Sequence, residues 1–385
     1  MKILTSEKIP LKIWAEDIDE ATMEQAKHLA NFPFAFHHIA IMPDAHKGYG
    51  MPIGGIMATQ KVVVPHAVGV DIGCGVCAVK TSLLELEQDT LKLIMAKIRK
   101  AIPLGFEHHS QPQEAKYMPS LPLPGPVVKQ EYSSALRQLG TLGGGNHFIE
   151  IQRDSQHFIW IMVHCGSRNI GKKVADFYNQ KAEELNQKLA TPLPPEWELA
   201  YLPLEEKIAQ DYLAEMNYCV EFAFANRKLI LQRIEEIFAA VTSCSFSNQL
   251  INIAHNYAAF ETHFRERVLV HRKGAVKATK DTIGVIPGSQ GSKSYVVQGR
   301  GNKESFESCA HGAGRKMGRE EARRILDLSE ERAKLEQKGI LHALRSKRDL
   351  DEASGAYKDI DKVMEQQKDL VKIIEVLEPL AVIKG

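Results

Sequence analysis

The chain has 385 residues, with 49 Lys and Arg against 48 Asp and Glu, and 44% of its residues are hydrophobic. This balance is typical of a soluble globular protein, and it excludes bulk disorder and a uniformly basic protein. The net charge does not exclude a local basic surface that binds a polyanion. No apolar run approaches the roughly 20 residues of a membrane-spanning helix, and the first residues lack the features of a secretory signal. We therefore expect a cytoplasmic protein without a membrane partner.

The first part of the chain predicts a helix over 18–32, then short β-branched runs separated by glycine, then a second helix over 86–102. Proline at 103 ends that helix. Prolines crowd the segment 118–126, which we interpret as a surface insertion without regular structure.

The longest helical pattern covers 204–240. A charged helix is expected from Gly318 to about Leu344, and a last helix over 368–377. Glycine-rich turns recur beside His, Asp, Cys or Ser throughout the chain. A site assembled from such distant loops argues for one composite domain over 1–385.

The chain contains six cysteines, at positions 74, 77, 165, 219, 244 and 309. They are too few to cross-link a chain of this length, so most should be free thiols, and one or more could bind metal. Asp71 and Cys74 follow the strand-like run 62–70 on a glycine-rich turn. A carboxylate and a thiolate three residues apart suit a borderline divalent metal. The alternative is a turn cap and a small buried hydrophobe.

His147 opens one predicted strand and His164 ends the next, so antiparallel pairing would place them side by side. His255 and His311 lie among small residues that expose an imidazole. Each histidine alone is also compatible with a core or turn position.

Together with Asp71 and Cys74, the histidines at 147, 164 and 255 could form a two-metal site if the thiolate bridges both ions. A structural zinc site is the alternative, but the chain lacks paired CxxC knuckles.

The segment 286–294 could surround phosphate oxygens with backbone N–H groups and hydroxyls, although it lacks the spacing of a Walker A loop. A flexible serine-glycine turn is the alternative. The segment 271–280 is the densest basic stretch, with further positive charge at Arg315, Lys316 and Arg319. It could follow a phosphate backbone or form a solvated charged face.

Ten motifs in this order closely resemble the RtcB family of RNA ligases, and the resemblance runs nearly end to end. They are MPDAHKGYGMPIGG (42–55), VGVDIGCGV (68–76), GGGNHFIE (143–150), HCGSRNIG (164–171), NIAHN (252–256), HRKGA (271–275), PGSQGSKSYVV (287–297), AHGAGR (310–315), GAYKD (355–359) and the terminal IKG.

The resemblance implies an α+β fold in which mixed and antiparallel sheets, surrounded by helices, hold a central metal and GTP cleft. It implies an enzyme that uses GTP and two Mn²⁺ ions to join an RNA 3′-phosphate or 2′,3′-cyclic phosphate to a 5′-hydroxyl. His311 would attack GTP and become guanylylated, GMP would pass to the RNA 3′-phosphate, and the 5′-hydroxyl would displace it. Asp44 would support His311.

By the same resemblance, Cys74 would bridge the ions, with His164 and His255 on one ion and Asp71 and His147 on the other. Arg168 would meet an RNA phosphate. The residues expected around GTP are Asn146, Glu150, Asn256, Pro287, Gly288, Ser289, Ser294, Gly312, Ala313, Gly314, Tyr357 and Lys384.

The short chain and its proline-rich insertion look more like the compact bacterial branch associated with release factor H than like the tRNA-splicing members. The resemblance leaves open the need for an activating protein.

Two other functions would use the same residues. One is a two-metal phosphoesterase or RNA end-processing hydrolase that activates water, and the other is a noncatalytic RNA-binding protein stabilised by metal.

Overall fold

The computed structural model of the chain describes residues 1–189 and 193–385. In these ranges the strands are β1 (Lys2–Leu4), β2 (Leu11–Ile13), β3 (Ala35–His46), β4 (Ile53–Thr59), β5 (Val62–Val63), β6 (Gly75–Lys80), β7 (Phe148–Arg153), β8 (Ile159–Cys165), β9 (Leu202–Pro203), β10 (Ile251–Ala254), β11 (Asn256–His263), β12 (Glu266–Lys273), β13 (Ala275–Lys277), β14 (Ile283–Ile286), β15 (Ser294–Gly299), β16 (Ser308–Ala310) and β17 (Val371–Lys384). The helices are α1 (Glu20–Asn31), α2 (Gln88–Ala101), α3 (Pro126–Gln138), α4 (Arg168–Asn186), α5 (Lys207–Thr242), α6 (Arg319–Ile325), α7 (Leu328–Gln337) and α8 (Ile360–Gln366).

Two large sheets dominate the fold. The first has the strand order β1-β2-β3-β4-β12-β11, in which β2 and β3 are parallel and the other neighbours are antiparallel. The second has the order β10-β6-β8-β7-β17-β15-β14 and is antiparallel throughout. The predicted α+β fold, with mixed and antiparallel sheets surrounded by helices, is confirmed.

The long helix predicted over 204–240 is α5 in the structure. Its N-terminal half buries Tyr212 and Met216 in a cluster with α3 and α4, and its C-terminal half buries Ile234 and Phe238 in a cluster with α2 and the second sheet. A helix held in two apolar clusters is a rigid support, because burial of each large side chain contributes about 1.5–3 kcal/mol. The loops that carry the candidate site pack against this support.

The prediction of a last helix over 368–377 is wrong. Residues 371–384 form β17, which pairs with β15 on one side and with β7 on the other. The run from Val371 to Val376 contains four β-branched residues, which fit a pleated surface better than a helix. Because β17 lies between two partner strands, tertiary pairing satisfies the backbone groups of this segment.

The strand predicted before Asp71 is also shorter than expected. β5 ends at Val63, and the 3₁₀ turn Pro65–Ala67 follows, since proline restricts the backbone and lacks an N–H for a sheet. Asp71 and Cys74 therefore lie in the loop that leads into β6, rather than at the end of a strand.

Other boundaries differ by small amounts. The helix expected from Gly318 to Leu344 is divided into α6 and α7, because Asp327 caps a new helix by accepting hydrogen bonds from two backbone N–H groups. The proline-rich segment 118–126 has no regular structure up to residue 125, and Pro126 is the first residue of α3. None of the helices in the described part of the chain combines the length and apolarity needed to cross a bilayer.

Candidate active site

Two neighbouring strands of the second sheet bring His147 and His164 together. In the antiparallel pair β7 and β8, Phe148 lies opposite His164. His147 precedes the first residue of β7, so the two imidazoles meet at one end of the pair, with ring centroids 5.4 Å apart. The predicted antiparallel arrangement of these histidines is confirmed.

The loop before β6 places a thiol between the two imidazoles. Sγ of Cys74 lies 3.4 Å from Nε2 of His147 and 3.3 Å from Nε2 of His164. Nε2 of His147 also lies 2.9 Å from Oδ2 of Asp71. A glycine follows Cys74 because a Cβ at position 75 would collide with the backbone of Ile253 on β10.

His255 completes the cluster from the junction of β10 and β11. Its backbone N–H donates to the carbonyl of Cys74 at 2.8 Å, and its ring centroid lies 5.1 Å from that of His164. Two overlapping groups of metal-donor atoms result. Cys74, His164 and His255 form one, Asp71, Cys74 and His147 form the other, and in each group the donor atoms lie within 4.8 Å of one another. The structure thus brings together all five predicted metal ligands, with Cys74 common to both groups.

Burial controls the protonation of these side chains. It lowers the pKa of His164 and of His255 well below the ordinary value, so both imidazoles are neutral and have a free lone pair. Burial, assisted by the charge of Asp71, raises the pKa of the Cys74 thiol. The donor set of one sulfur, three imidazole nitrogens and one carboxylate fits a borderline divalent cation, which would favour the thiolate.

His311 lies next to this cluster, at the start of the loop after β16. Its ring centroid is 4.6 Å from that of His255. Nδ1 donates to Oδ2 of the fully buried Asp44 at 2.7 Å, and the same oxygen accepts the backbone N–H groups of His311 and Gly312. The carboxylate therefore places the proton on Nδ1. Within the described chain, Nε2 of His311 has no hydrogen-bond partner.

A cavity of about 130 Å³ opens beside His311 and His164. Nine of the twelve residues predicted to surround a nucleotide line this cavity, namely Asn146, Glu150, Pro287, Ser289, Gly312, Ala313, Gly314, Tyr357 and Lys384.

Three other predicted nucleotide residues lie behind the wall. Ser294 is fully buried and its Oγ accepts the N–H of Gly288 at 3.2 Å, which shapes the loop that presents Ser289. The amide of Asn256 donates to the carbonyl of Asp71 at 3.0 Å and accepts from Gly274 at 2.8 Å. These contacts are structural, and the predicted ligand contacts of Asn256, Gly288 and Ser294 stay predictions.

Arg168 lies outside the cavity, on the side of Asp71. Its guanidinium donates to the carbonyl of Gly105 at 2.6 Å and to Oγ1 of Thr141 at 3.0 Å. Burial raises the pKa of Asp71, but the hydrogen bond from His147 and, more weakly, the charge of Arg168 lower it. The net effect is a lowered pKa. Arg168 thus adds positive charge near the metal-donor cluster.

The sequence did not identify Glu352, which is central to the cavity. Its carboxylate is bonded to Tyr357 and lies 3.2 Å from Nη1 of Arg315, 3.3 Å from Nε of Arg319 and 3.3 Å from Nζ of Lys384. No glycine-rich motif surrounds Glu352. Of the three cations around it, Lys384 was expected near GTP from the resemblance, whereas Arg315 and Arg319 were recognised only as positive charge.

The family model described as tRNA-splicing ligase RtcB matches residues 25–121 and 118–385 of the chain. The chain belongs to the RtcB family. It is 36% identical to the RNA-splicing ligase RtcB of Escherichia coli K12 over 357 residues, which cover 86% of this chain and 87% of that relative.

Archaeal members of the RtcB family are similar over nearly the same extent. The tRNA-splicing ligase RtcB of Thermococcus kodakarensis is 31% identical, with 91% of this chain and 89% of the relative covered. The tRNA-splicing ligase RtcB of Nanoarchaeum equitans is 31% identical, with 98% of this chain and 95% of that relative covered. The resemblance predicted from the ten motifs is confirmed, whereas placement in the branch associated with release factor H stays a prediction.

Proposed function

We propose that this member of the RtcB family is a GTP- and Mn²⁺-dependent RNA ligase that joins 3′-phosphate or 2′,3′-cyclic phosphate ends to 5′-hydroxyl ends. The observation that carries the proposal is the position of His311. Its imidazole is held by Asp44 through Nδ1, lies 4.6 Å from the ring of His255, and lines the cavity. A hydrolase with the same metal ligands would not need a histidine prepared in this way.

The donor cluster supports the assignment of two divalent ions. His164 and His255 would hold one ion, Asp71 and His147 the other, and Cys74 both, in agreement with the two overlapping groups of donors. When bound, such cations neutralise charge on nonbridging phosphate oxygens.

His311 is the proposed nucleophile. Its Nε2 lone pair would form a bond to the α-phosphorus of GTP while the bond to the β-phosphate oxygen breaks and pyrophosphate leaves. The ring becomes cationic as the new bond forms, and Asp44, which already accepts the Nδ1 proton, would stabilise that charge.

Two transfers complete the proposed reaction. An oxygen of the RNA 3′-phosphate would displace His311 from the guanylyl phosphorus, and the 5′-hydroxyl would then attack the RNA phosphorus, with GMP as the leaving group. A cyclic phosphate end would first be opened by water to a 3′-phosphate. Arg168 and the surrounding positive charge would hold the RNA phosphates.

The cavity chemistry suits GTP. Glu150 is buried on β7, and the charge of Lys384, on the neighbouring β17, acts on it. A carboxyl group and an ammonium group offer a hydrogen-bond acceptor and donors that complement the N–H groups and the carbonyl oxygen of guanine. The free volume of 130 Å³ is smaller than the roughly 300–1,000 Å³ of typical ligand pockets. We therefore expect Arg319 and Lys384 to turn from Glu352 towards the ligand on binding.

Transfer of label from α-labelled GTP to the protein tests the nucleophile. Wild type with Mn²⁺ should become labelled and should join RNAs that bear 3′-phosphate and 5′-hydroxyl ends, whereas His311→Ala should do neither. His263→Ala is the matched control, since His263 is also buried but pairs with Glu261 at 2.9 Å on β11. RNA-end hydrolysis without labelled protein would instead support a two-metal phosphoesterase, and RNA binding without turnover would support a noncatalytic protein.

Asp44→Asn tests how the nucleophile is held. Loss of the carboxylate should slow labelling by about 10²–10⁴-fold, because the Nδ1 proton and the developing charge lose their partner. Asp154→Asn provides a buried control, since Asp154 bonds to Trp160 and to backbone N–H groups of its own turn. Equal losses in the two variants would contradict the role of Asp44.

A further inference from the structure

Arg227 lies on α5, directly behind the metal-donor cluster, and none of its surface is exposed. Nη1 donates to the carbonyls of Gly73 at 3.0 Å and Cys165 at 2.7 Å. Nε donates to Oδ1 of Asn252 at 2.8 Å. One guanidinium therefore joins three segments that are far apart in sequence.

Each of these contacts lies beside a proposed metal ligand. Gly73 precedes Cys74, Cys165 follows His164, and Asn252 is on β10, the strand that ends just before His255. The fork of the guanidinium has a fixed geometry, so its three bonds set the distances between the segments. All three members of one donor group, Cys74, His164 and His255, thus adjoin a segment that is bonded to this one side chain.

The neighbouring residue on α5 extends the same contacts. Oδ1 of Asn226 accepts the N–H of Gly140 at 2.7 Å, and its Nδ2 lies 3.3 Å from the carbonyl of Gly166 and 3.2 Å from Sγ of Cys165. The ring of Phe224 lies 4.9 Å from Cζ of Arg227. Both polar side chains therefore project from a helix that is anchored in two apolar clusters.

The charge of Arg227 has no conventional partner. In residues 1–189 and 193–385, the hydrogen-bond partners of its guanidinium are two carbonyls and one amide oxygen rather than a carboxylate, and its Nη2 has no partner. Burying an unpaired cation is costly even after the surrounding structure relaxes. An apolar side chain would pack here at lower cost, which indicates that the bonds to the ligand loops are the reason for a cation at this position.

We propose that Arg227 is a positioning residue for the metal centre, which fixes the spacing of Cys74, His164 and His255 from behind. The proposal rests on the proposed two-metal site. Arg227 acts through the backbone carbonyls of Gly73 and Cys165 and through the side chain of Asn252.

Titration of the metal-free protein with Co²⁺ tests the proposal without any assay of ligation. A thiolate ligand produces an intense charge-transfer absorption band, and the visible bands of Co²⁺ report the ligand geometry. We expect Arg227→Met to bind Co²⁺ about 10–100-fold more weakly, with weaker thiolate absorption, as for other changes behind metal ligands. Arg227→Lys keeps the charge but not the three bonds, so its affinity should lie between those of Arg227→Met and wild type.

Arg233→Met is the matched control. Arg233 lies on the same helix and donates to the carbonyl of Gly140 at 2.9 Å, but it contacts none of the segments that adjoin a metal ligand. The thermal unfolding midpoints of Arg233→Met and Arg227→Met measure how much stability is lost when a buried or half-buried arginine is removed. Only Arg227→Met should change the cobalt spectrum.

If Arg227→Met does not fold, Asn252→Ala provides a second test. It removes one of the three hydrogen-bond partners of Arg227 at a half-buried position and should still alter the cobalt spectrum. Unchanged cobalt affinity and spectrum in the folded variants would overturn the role of Arg227 while leaving the proposed function intact. Failure of the wild-type protein to bind Co²⁺ would overturn both.

Discussion

Asp44 shows how much one buried side chain contributes to the candidate site. A single carboxylate oxygen accepts the imidazole N–H of His311 and the backbone N–H groups of His311 and Gly312. The residue therefore determines both the tautomer of the imidazole and the path of the loop that carries it. This arrangement fixes the orientation of the His311 imidazole and leaves Nε2 without a hydrogen-bond partner in the described chain.

Glu150 should make the stability of the protein depend on pH. Burial raises its pKa to about 8 from the ordinary value of 4.5, against the opposing charge of Lys384. Between pH 4.5 and about 8, the folded state therefore keeps a proton on Glu150 that the unfolded state releases. The stability that protonated Glu150 contributes is complete below pH 4.5 and is lost as the pH rises to about 8. The free energy of unfolding of wild type, relative to Glu150→Gln, should fall across this interval.

Urea denaturation of both proteins at a series of pH values measures this difference. The glutamine variant keeps the size of the side chain but cannot ionise, so other titrating groups cancel in the comparison. Parallel stability profiles for the two proteins would contradict the raised pKa of Glu150.

At the scale of elements, β17 connects parts of the molecule that the sequence does not suggest are related. It pairs with β7, which follows His147, and with β15, which follows the loop of Ser289. Its end carries Lys384 into the cavity. The strand thus joins the metal-donor cluster to the wall of the cavity that Ser289 and Lys384 line.

Leu377→Ala should weaken this connection. Leu377 is fully buried among Val285, Val296 and Val382, and removing its side chain should lower the free energy of unfolding by about 2–5 kcal/mol. Urea denaturation measures the loss.

Glu378→Ala, one residue further along β17, is the control because Glu378 is exposed. Its effect should stay within about 0.5 kcal/mol. Similar losses for the two variants would show that β17 is not held by its buried face.

At the scale of the whole molecule, five apolar clusters of buried side chains form the core, and none of the five metal-donor residues belongs to them. We therefore expect a chelator to abolish protein labelling by GTP while the far-ultraviolet circular dichroism spectrum stays unchanged, and added Mn²⁺ to restore labelling. A labile catalytic ion contributes less to folding than a closed structural site does. Unfolding on chelation would contradict this expectation and favour a structural metal.

The sequence by itself determined the family and predicted the five metal-donor residues and His311, which the structure brings together, because these residues lie in short motifs that are readable without a structure. It also indicated that His147 and His164 would meet, since they flank consecutive strands. It misread β17 as a helix and did not identify Glu352 or the role of Arg227. Only the tertiary structure decided these points, because the conformation of β17 depends on its partner strands and the roles of both charged residues depend on loops distant in sequence.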